Sequence, residues 1–185
     1  MELLRDMAKT KKCRSCREPF TPSMPLQVAC SPRCAIELVK AKQKLERKRE
    51  TRKLREKIKS RPDWMREAQA AFNAWIRWRD RDQPCISCGR HHQGQYHAGH
   101  YRSVGSTPEL RFELMNCHKQ CQPCNTHLSG NAINYRINLV QLIGADAVEW
   151  LEGPHEAKKY TIEDLIEIRD KYRLMLREAK KCPSS

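Results

Sequence analysis

The chain has 185 residues, of which 39% are hydrophobic and 31% are charged. This composition excludes one large apolar core and favours small domains that need metal ions or disulfides for stability. Lysine and arginine outnumber aspartate and glutamate by 36 to 22, a formal net charge of +14. The expected partner is therefore a polyanion, with nucleic acid ahead of an anionic membrane surface.

The chain contains no run of 18 apolar residues, so we expect no transmembrane helix and no membrane association. Residues 1–12 lack the apolar stretch of a signal peptide, which favours a cytoplasmic location. In that reducing compartment, clustered cysteines are better interpreted as metal ligands than as disulfides.

Four segments differ in composition and together predict an α+β, mostly helical protein. They are an N-terminal zinc module, a basic helical linker, a central domain with structural zinc and a C-terminal helical region, at residues 1–39, 40–62, 63–135 and 136–185.

The N-terminal module contains Cys13-x2-Cys16 and Cys30-x3-Cys34, here called the first quartet. Two thiolate pairs joined by a short loop suit tetrahedral Zn²⁺. Four thiolates leave no open coordination position, so this zinc is expected to be structural.

A basic run follows, with twelve lysines and arginines but only three glutamates between Lys40 and Arg61. Its residues are strong helix formers, which predicts a solvated helix that ends before Pro62. So many positive charges favour contact with DNA. The candidate phosphate contacts on this helix are Arg47, Lys48, Arg52 and Lys53.

Three further helices are predicted after the basic run. Asp63 is expected to cap a core helix whose apolar residues recur at helical spacing from Trp64 to Ile76. Ile133, Ile137, Val140 and Leu142 indicate a helix closed by Gly144, and residues 145–151 allow one or two more turns. Thr161 to Asp164 resembles a capping box that opens the last helix.

Cys85-x2-Cys88 and Cys121-x2-Cys124 form the second quartet, and 32 residues separate its two halves. This spacing is long for a plain zinc ribbon, so the enclosed loop is expected to carry a function. Two cysteines remain unassigned. Cys117 is interpreted as a small core residue, and Cys182 is expected in a frayed tail.

The enclosed loop contains His97-Ala-Gly-His100-Tyr, then Asn116, and Asn125 directly follows the last cysteine. This pattern resembles the zinc-bound branch of the HNH (ββα-metal) nucleases. Phosphodiester hydrolysis needs a base and a divalent cation. A neutral imidazole suits the base, and an amide oxygen suits Mg²⁺ or Mn²⁺. A loop asparagine can tie backbone segments together and so aim the hairpin.

The whole chain is similar to the phage NinG family of lambdoid recombination proteins, also called Rap. The most specific matching stretches are 79–82, 84–89, 98–102, 110–112, 118–121 and 124–131. The resemblance implies an endonuclease that cuts branched recombination intermediates, such as Holliday junctions and D-loops, in the cytoplasm of the host cell.

One position departs from the HNH pattern, because many such sites carry an acidic or histidine ligand just before the base, where this chain has Gly99. We assign His100 as the base, supported by Asn116, and His97 with Asn125 as metal ligands. A kink at the glycine would bring His97 into place. The two histidines could also exchange roles.

Arg102 would share the face of His100 if the strand continued, and is a candidate phosphate clamp. The pair His91-His92, on a predicted turn near Gly89 and Gly94, is interpreted as solvated.

Two alternative functions and the oligomeric state remain open at the sequence level. A catalytically silent zinc-finger protein that binds DNA and recruits recombination partners would share the charge and the quartets. A structural RNA-binding protein has only the charge in its favour. A homodimer would suit symmetric resolution of a four-way junction, but the sequence reveals no interface.

Overall fold

The structure is a computed structural model that describes residues 10–181, so Cys182 lies outside the described residues. The chain divides into two compact units between Lys59 and Ser60. The fold is α+β and mostly helical, as predicted. Its strands and helices are β1 (Lys11–Lys12), β2 (Pro19–Phe20), α1 (Pro32–Ile58), α2 (Arg61–Arg79), β3 (Tyr96–His100), β4 (Cys117–Cys121), α3 (Ala132–Ile143), α4 (Ala145–Glu152) and α5 (Ile162–Ala179).

The basic helix is longer at its start than the sequence predicted. It begins at Pro32 rather than near Lys40, because the Ser31 hydroxyl accepts a hydrogen bond from Cys34 N–H at 3.3 Å and caps the first turn. Proline is suited to that first turn because its missing N–H would have no partner there. The helix ends at Ile58, and Cys34 is its only buried residue among those described.

The cap of α2 also differs from the prediction. Ser60, not Asp63, is the N-cap residue. The Asp63 carboxylate lies in the first turn and accepts hydrogen bonds from Ser60 N–H at 2.9 Å and Ser60 Oγ at 2.6 Å. Pro62 therefore lies inside a new helix rather than between two helices.

The apolar stripe of α2 forms the core of the second unit, as predicted. Ala71, Phe72 and Ile76 pack with Tyr172 of α5, and Phe72 meets the Tyr172 ring edge-on at 5.0 Å between centroids. Cys117 of β4 is fully buried in the same cluster, which confirms its interpretation as a core residue.

The C-terminal helices lie where the sequence placed them. Gly144 ends α3 with a φ of 89°, a conformation that suits glycine. The Thr161–Asp164 capping box is present, with Thr161 N–H donating to Asp164 Oδ2 at 2.8 Å and Asp164 N–H donating to Thr161 Oγ1 at 3.1 Å.

The buried face of α3 is not the stripe that the sequence suggested. Ile133, Ile137 and Leu142 are exposed, and the buried residues are Tyr135 and Leu139. The reason is that α3 packs with α4 through Leu139, while the Tyr135 hydroxyl bonds to β3.

Candidate active site and metal sites

The first quartet is assembled. The four Sγ atoms of Cys13, Cys16, Cys30 and Cys34 lie within 4.8 Å of one another. Cys30 N–H donates to Cys13 Sγ at 3.4 Å, and this bond is the main cause that lowers the pKa of the Cys13 thiol to about 6. A ready thiolate among four converging sulfurs fits Zn²⁺.

The second quartet is also assembled, so the structure brings together cysteine pairs that are far apart in sequence. Its four Sγ atoms, on Cys85, Cys88, Cys121 and Cys124, also lie within 4.8 Å of one another. Burial raises the pKa of Cys85, but hydrogen bonds from backbone N–H groups, that of Cys121 at 3.3 Å first among them, outweigh it and lower the pKa overall. No further group of three His, Cys, Asp or Glu ligands converges within residues 10–181.

His92 contacts the second quartet, which the sequence interpretation missed. Its Nε2 lies 3.1 Å from Cys88 Sγ, and its backbone N–H donates to the Tyr96 hydroxyl at 2.6 Å. His91 is exposed, so the interpretation as solvated holds only for the first residue of the pair. The four-residue spacing from Cys88 was the available signal.

The hairpin of β3 and β4 is regular, so the expected kink at Gly99 is absent. The antiparallel register runs without interruption from Tyr96↔Cys121 to His100↔Cys117. Side chains alternate along a strand, so His97 and His100 leave β3 on opposite faces. The prediction that a kink would bring His97 round to His100 is therefore wrong.

His100 has a defined protonation state. Its Nε2 lies 2.9 Å from the Arg111 carbonyl oxygen, which can only accept, so Nε2 carries the proton. The ring stacks on Phe72 with centroids 6.1 Å apart, and burial lowers its pKa below the ordinary value. The imidazole is therefore neutral near pH 7, with the lone pair on Nδ1. No hydrogen bond reaches Nδ1 from the described part of the chain.

Asn116 ties the loop between the strands together, as the sequence predicted for a loop asparagine. It is fully buried, and its Oδ1 accepts from Arg102 N–H at 2.7 Å. Its Nδ2 donates to the carbonyls of Arg102 at 3.0 Å and Leu110 at 3.1 Å. Leu110 precedes Arg111, whose carbonyl holds His100. Asn116 is therefore a positioning residue for the His100 ring.

Side chains outside the hairpin hold both of its strands. Arg79 donates from Nη2 to the Cys117 carbonyl of β4 at 2.8 Å, and Asp80 Oδ2 accepts from Lys119 N–H at 3.0 Å. The Tyr135 hydroxyl of α3 donates to the Gly99 carbonyl of β3 at 2.9 Å and lies 3.2 Å from Nδ1 of His118 on β4. Several motifs that carry the family resemblance therefore build the scaffold.

The remaining predicted site residues are placed as follows. His97 is half-buried, and its Nε2 is buried without a hydrogen-bond partner in the described residues. Asn125 lies in a π-helical turn, Pro123–His127, directly after the second quartet. Arg102 lies beyond the end of β3, so strand alternation does not place it beside His100. Its backbone is held by Asn116, and its Nε is buried without a partner among residues 10–181.

The exposed helix α1 carries its charges asymmetrically. At about 100° per residue, six basic side chains fall within a stripe of roughly 140°. These residues line one shallow surface groove and are Lys40, Lys44, Arg47, Lys48, Arg52 and Arg55. The three glutamates of this region, Glu46, Glu50 and Glu56, all lie on the other side of the helix, together with Lys53. One face of α1 is therefore cationic and free of acidic residues from 40 to 58.

These observations define a class: an α+β protein with two tetracysteine clusters suited to zinc, the second of which encloses a histidine-bearing hairpin. Residues 5–182 match the family described as NinG, Bacteriophage Lambda NinG protein. The chain therefore belongs to the NinG family.

Relatives from other phages are similar to this chain over most of their length. The chain is 39% identical to protein ninG of Escherichia phage lambda over 92% of this chain and 93% of that protein. It is 39% identical to protein ninG of Salmonella phage P22, over 94% and 97% respectively. No solved structure matches. Among the described residues, no helix is long and apolar enough to cross a membrane.

Proposed function

We propose that this protein is a metal-dependent endonuclease of the HNH type that hydrolyses phosphodiester bonds in branched DNA, such as Holliday junctions and D-loops. The observation that carries the proposal is the ring of His100. A general base must be neutral at the working pH and must present a lone pair in a fixed direction. The Arg111 carbonyl and the burial of the ring meet both requirements.

In this proposal, His100 Nδ1 takes the proton from the water that attacks the scissile phosphate. Nε2 keeps its own proton and shares it with the Arg111 carbonyl, which stabilises the charge that the ring gains. Asn116 acts through Leu110 to keep that carbonyl in place. Phe72 supports the ring from the core.

The hydrolysis also needs Mg²⁺ or Mn²⁺, which supplies positive charge at the scissile phosphate. His97 and Asn125 are the proposed ligands from the sequence. The orphaned, buried Nε2 of His97 fits such a role, because a buried polar atom without a partner is costly. The two zinc ions would be structural.

DNA is held by the acid-free face of α1 and by Arg102. From Lys40 to Arg55 this face extends about 22 Å, which allows several phosphates to be contacted in a row. Such contacts position an enzyme without selecting bases, which suits a nuclease that recognises branch shape. A homodimer would place two such centres on a four-way junction.

The test uses zinc-loaded protein and a labelled four-way junction, with Mg²⁺ or with EDTA. We expect cleavage only with Mg²⁺. His100→Ala should abolish cleavage and leave junction binding nearly intact, because the base adds little to ground-state affinity. His91→Ala is the matched control, since His91 is exposed. Wild-type cleavage by His100→Ala would refute the assignment, and loss only in His97→Ala would exchange the two roles.

One observation favours the non-catalytic alternative, a zinc-finger DNA-binding accessory protein. His97 and His100 lie on opposite faces of β3, whereas a nuclease centre needs base and cation at one phosphate. Both proposals expect salt-sensitive DNA binding. A junction that is bound tightly but never cut, with either Mg²⁺ or Mn²⁺, would establish the alternative.

A further inference from the structure

Gln120 has an amide group whose orientation is fixed. The side chain is fully buried. Its Nε2 donates to the Gly130 carbonyl at 2.5 Å and to Ser87 Oγ at 2.6 Å. A carbonyl oxygen cannot donate, so the nitrogen must face Gly130. The other end of the amide, Oε1, is buried and has no hydrogen-bond partner among the described residues.

The position of this oxygen explains why residue 99 is a glycine. A Cβ built on Gly99 would lie 2.1 Å from Gln120 Oε1 and 2.9 Å from Gln120 Cβ. Neither contact is possible for a real side chain. The Gln120 carboxamide therefore occupies the space that a side chain at position 99 would fill, and it places there an oxygen atom that can act as a metal ligand.

A second orphaned atom lies on the same face of the hairpin. His97 is directly opposite Gln120 in the register, so the two Cβ atoms are about 5 Å apart. His97 Nε2 is also buried without a partner within residues 10–181, and the two orphaned atoms do not bond to each other. Leaving one such group unsatisfied costs about 1–3 kcal/mol, so two neighbours indicate a shared partner.

We infer that Gln120 Oε1 and His97 Nε2 are ligands of one divalent cation, with Gln120 replacing the side chain that Gly99 lacks. This inference rests on the proposed function only for the use of the cation, not for its site. An amide oxygen is a hard donor, and Mn²⁺ accepts both oxygen and imidazole ligands. The Nε2 bonds to Ser87 and Gly130 would hold the ligand oxygen in place, as supporting hydrogen bonds do for metal ligands.

The direct test uses the wild-type chain, loaded with zinc, and Mn²⁺ as the probe. Mn²⁺ is paramagnetic and broadens the NMR signals of nearby groups. Substoichiometric Mn²⁺ should broaden the side-chain amide signal of Gln120 before those of other buried amides such as Asn116. Equal broadening of the two signals, or none, would overturn the inference without requiring any variant to fold.

Binding of Mn²⁺, measured by the loss of the free-ion EPR signal, gives the second test. Gln120→Met keeps the volume but removes the oxygen, and should weaken Mn²⁺ binding at least about tenfold. Ser87→Ala is the matched control, because it removes an acceptor of Nε2 and leaves Oε1 present; it should weaken binding less. Gly99→Ala should act like Gln120→Met, because its Cβ displaces the amide. Zinc content verifies the fold of each variant.

Failure of the ligand assignment and failure of the proposed function give different results. If wild-type protein cuts junctions but Gln120→Met and Gly99→Ala bind Mn²⁺ normally, the ligand assignment is wrong and the nuclease stands. If Mn²⁺ binding depends on Gln120 but no junction is cut, the cation site stands and the nuclease proposal is wrong.

Discussion

Asn116→Ala should destabilise the second unit severely. The substitution leaves the Arg102 N–H and the carbonyls of Arg102 and Leu110 without their hydrogen bonds of 2.7, 3.0 and 3.1 Å. The Leu110 carbonyl still accepts from Glu113 N–H at 3.2 Å, so two groups, the N–H and the carbonyl of Arg102, are left unsatisfied. At the lower bound of about 1 kcal/mol for each of them, the loss is about 2 kcal/mol. For a unit of this size, that loss lowers Tm by roughly 6 °C.

The assay is urea unfolding of zinc-loaded protein, followed by tryptophan fluorescence. The chain has 4 tryptophans and all of them, Trp64, Trp75, Trp78 and Trp150, lie after Ser60. The signal therefore reports the second unit alone. Asn134→Ala is the matched control, because the Asn134 amide is exposed and bonds only to Asn131 Oδ1 among the described residues, at 2.9 Å. Its effect should stay within about 0.5 kcal/mol.

Asn116→Asp changes the hydrogen bonding of this side chain while keeping its volume nearly constant. The new carboxylate would keep the acceptor for Arg102 N–H but would face two carbonyl oxygens where Nδ2 now donates. We expect it to be at least as unstable as Asn116→Ala at pH 7, and to recover partly at low pH when the carboxyl can donate again. The reasoning is refuted if Asn116→Ala unfolds at the wild-type urea concentration.

Three further predictions follow from the metal sites, the basic helix and the buried histidine. Elemental analysis should find two zinc ions per chain, one for each quartet, and chelation should unfold the protein; one zinc or none would contradict the assignment. Replacing four residues of the acid-free face by Gln should weaken binding to all DNA and make the slope of log affinity against log salt shallower by roughly 0.9 per lost contact; the four are Lys44, Arg47, Lys48 and Arg55. The matched control replaces four basic residues of the opposite side by Gln, and it should reduce the affinity and the slope by a smaller amount; its four are Lys42, Arg49, Lys53 and Lys57. Equal effects of the two variants would exclude a preferred face. Burial lowers the pKa of His118 to about 4, so between about pH 4 and pH 6.5 the unfolded chain binds more protons than the folded chain. The free energy of unfolding should therefore fall as the pH is lowered from about 6.5 to about 4. His118→Gln should flatten this part of the stability profile.

The chemistry of the metal clusters and the helical periods could be predicted from the sequence. Paired cysteines at short spacing are typical of zinc sites, so both quartets were predictable and both are assembled. The α2 stripe, Gly144 and the Thr161 capping box were predictable because each depends on local spacing or on one backbone conformation. The role of Asn116 followed from the family resemblance, and its hydrogen bonds agree with it.

Helix boundaries and the buried face of α3 were harder to predict. Ser31 and Ser60 each compete with neighbouring residues for the N-cap, and only the folded backbone decides between them. On α3, the isoleucines form an apolar stripe in sequence, but the buried face is that of Tyr135 and Leu139, which packs against Val148 and Leu151 of α4. The Tyr135 hydroxyl also finds its acceptor, the Gly99 carbonyl, on that side. The buried face thus depends on which elements pack against the helix, and the helix sequence alone does not show them.

The sequence by itself determined that this chain has two tetracysteine clusters, a strongly basic helix and the histidines and asparagines of a candidate site. Only the tertiary structure decided how those residues are divided between the faces of the hairpin. The β3–β4 register places His97 opposite Gln120 and turns His100 toward Phe72. In the sequence, Gly99 is a position that lacks the ligand side chain of the HNH pattern. The structure shows the amide of Gln120 in that space, because residues on paired strands become neighbours only when the register is set.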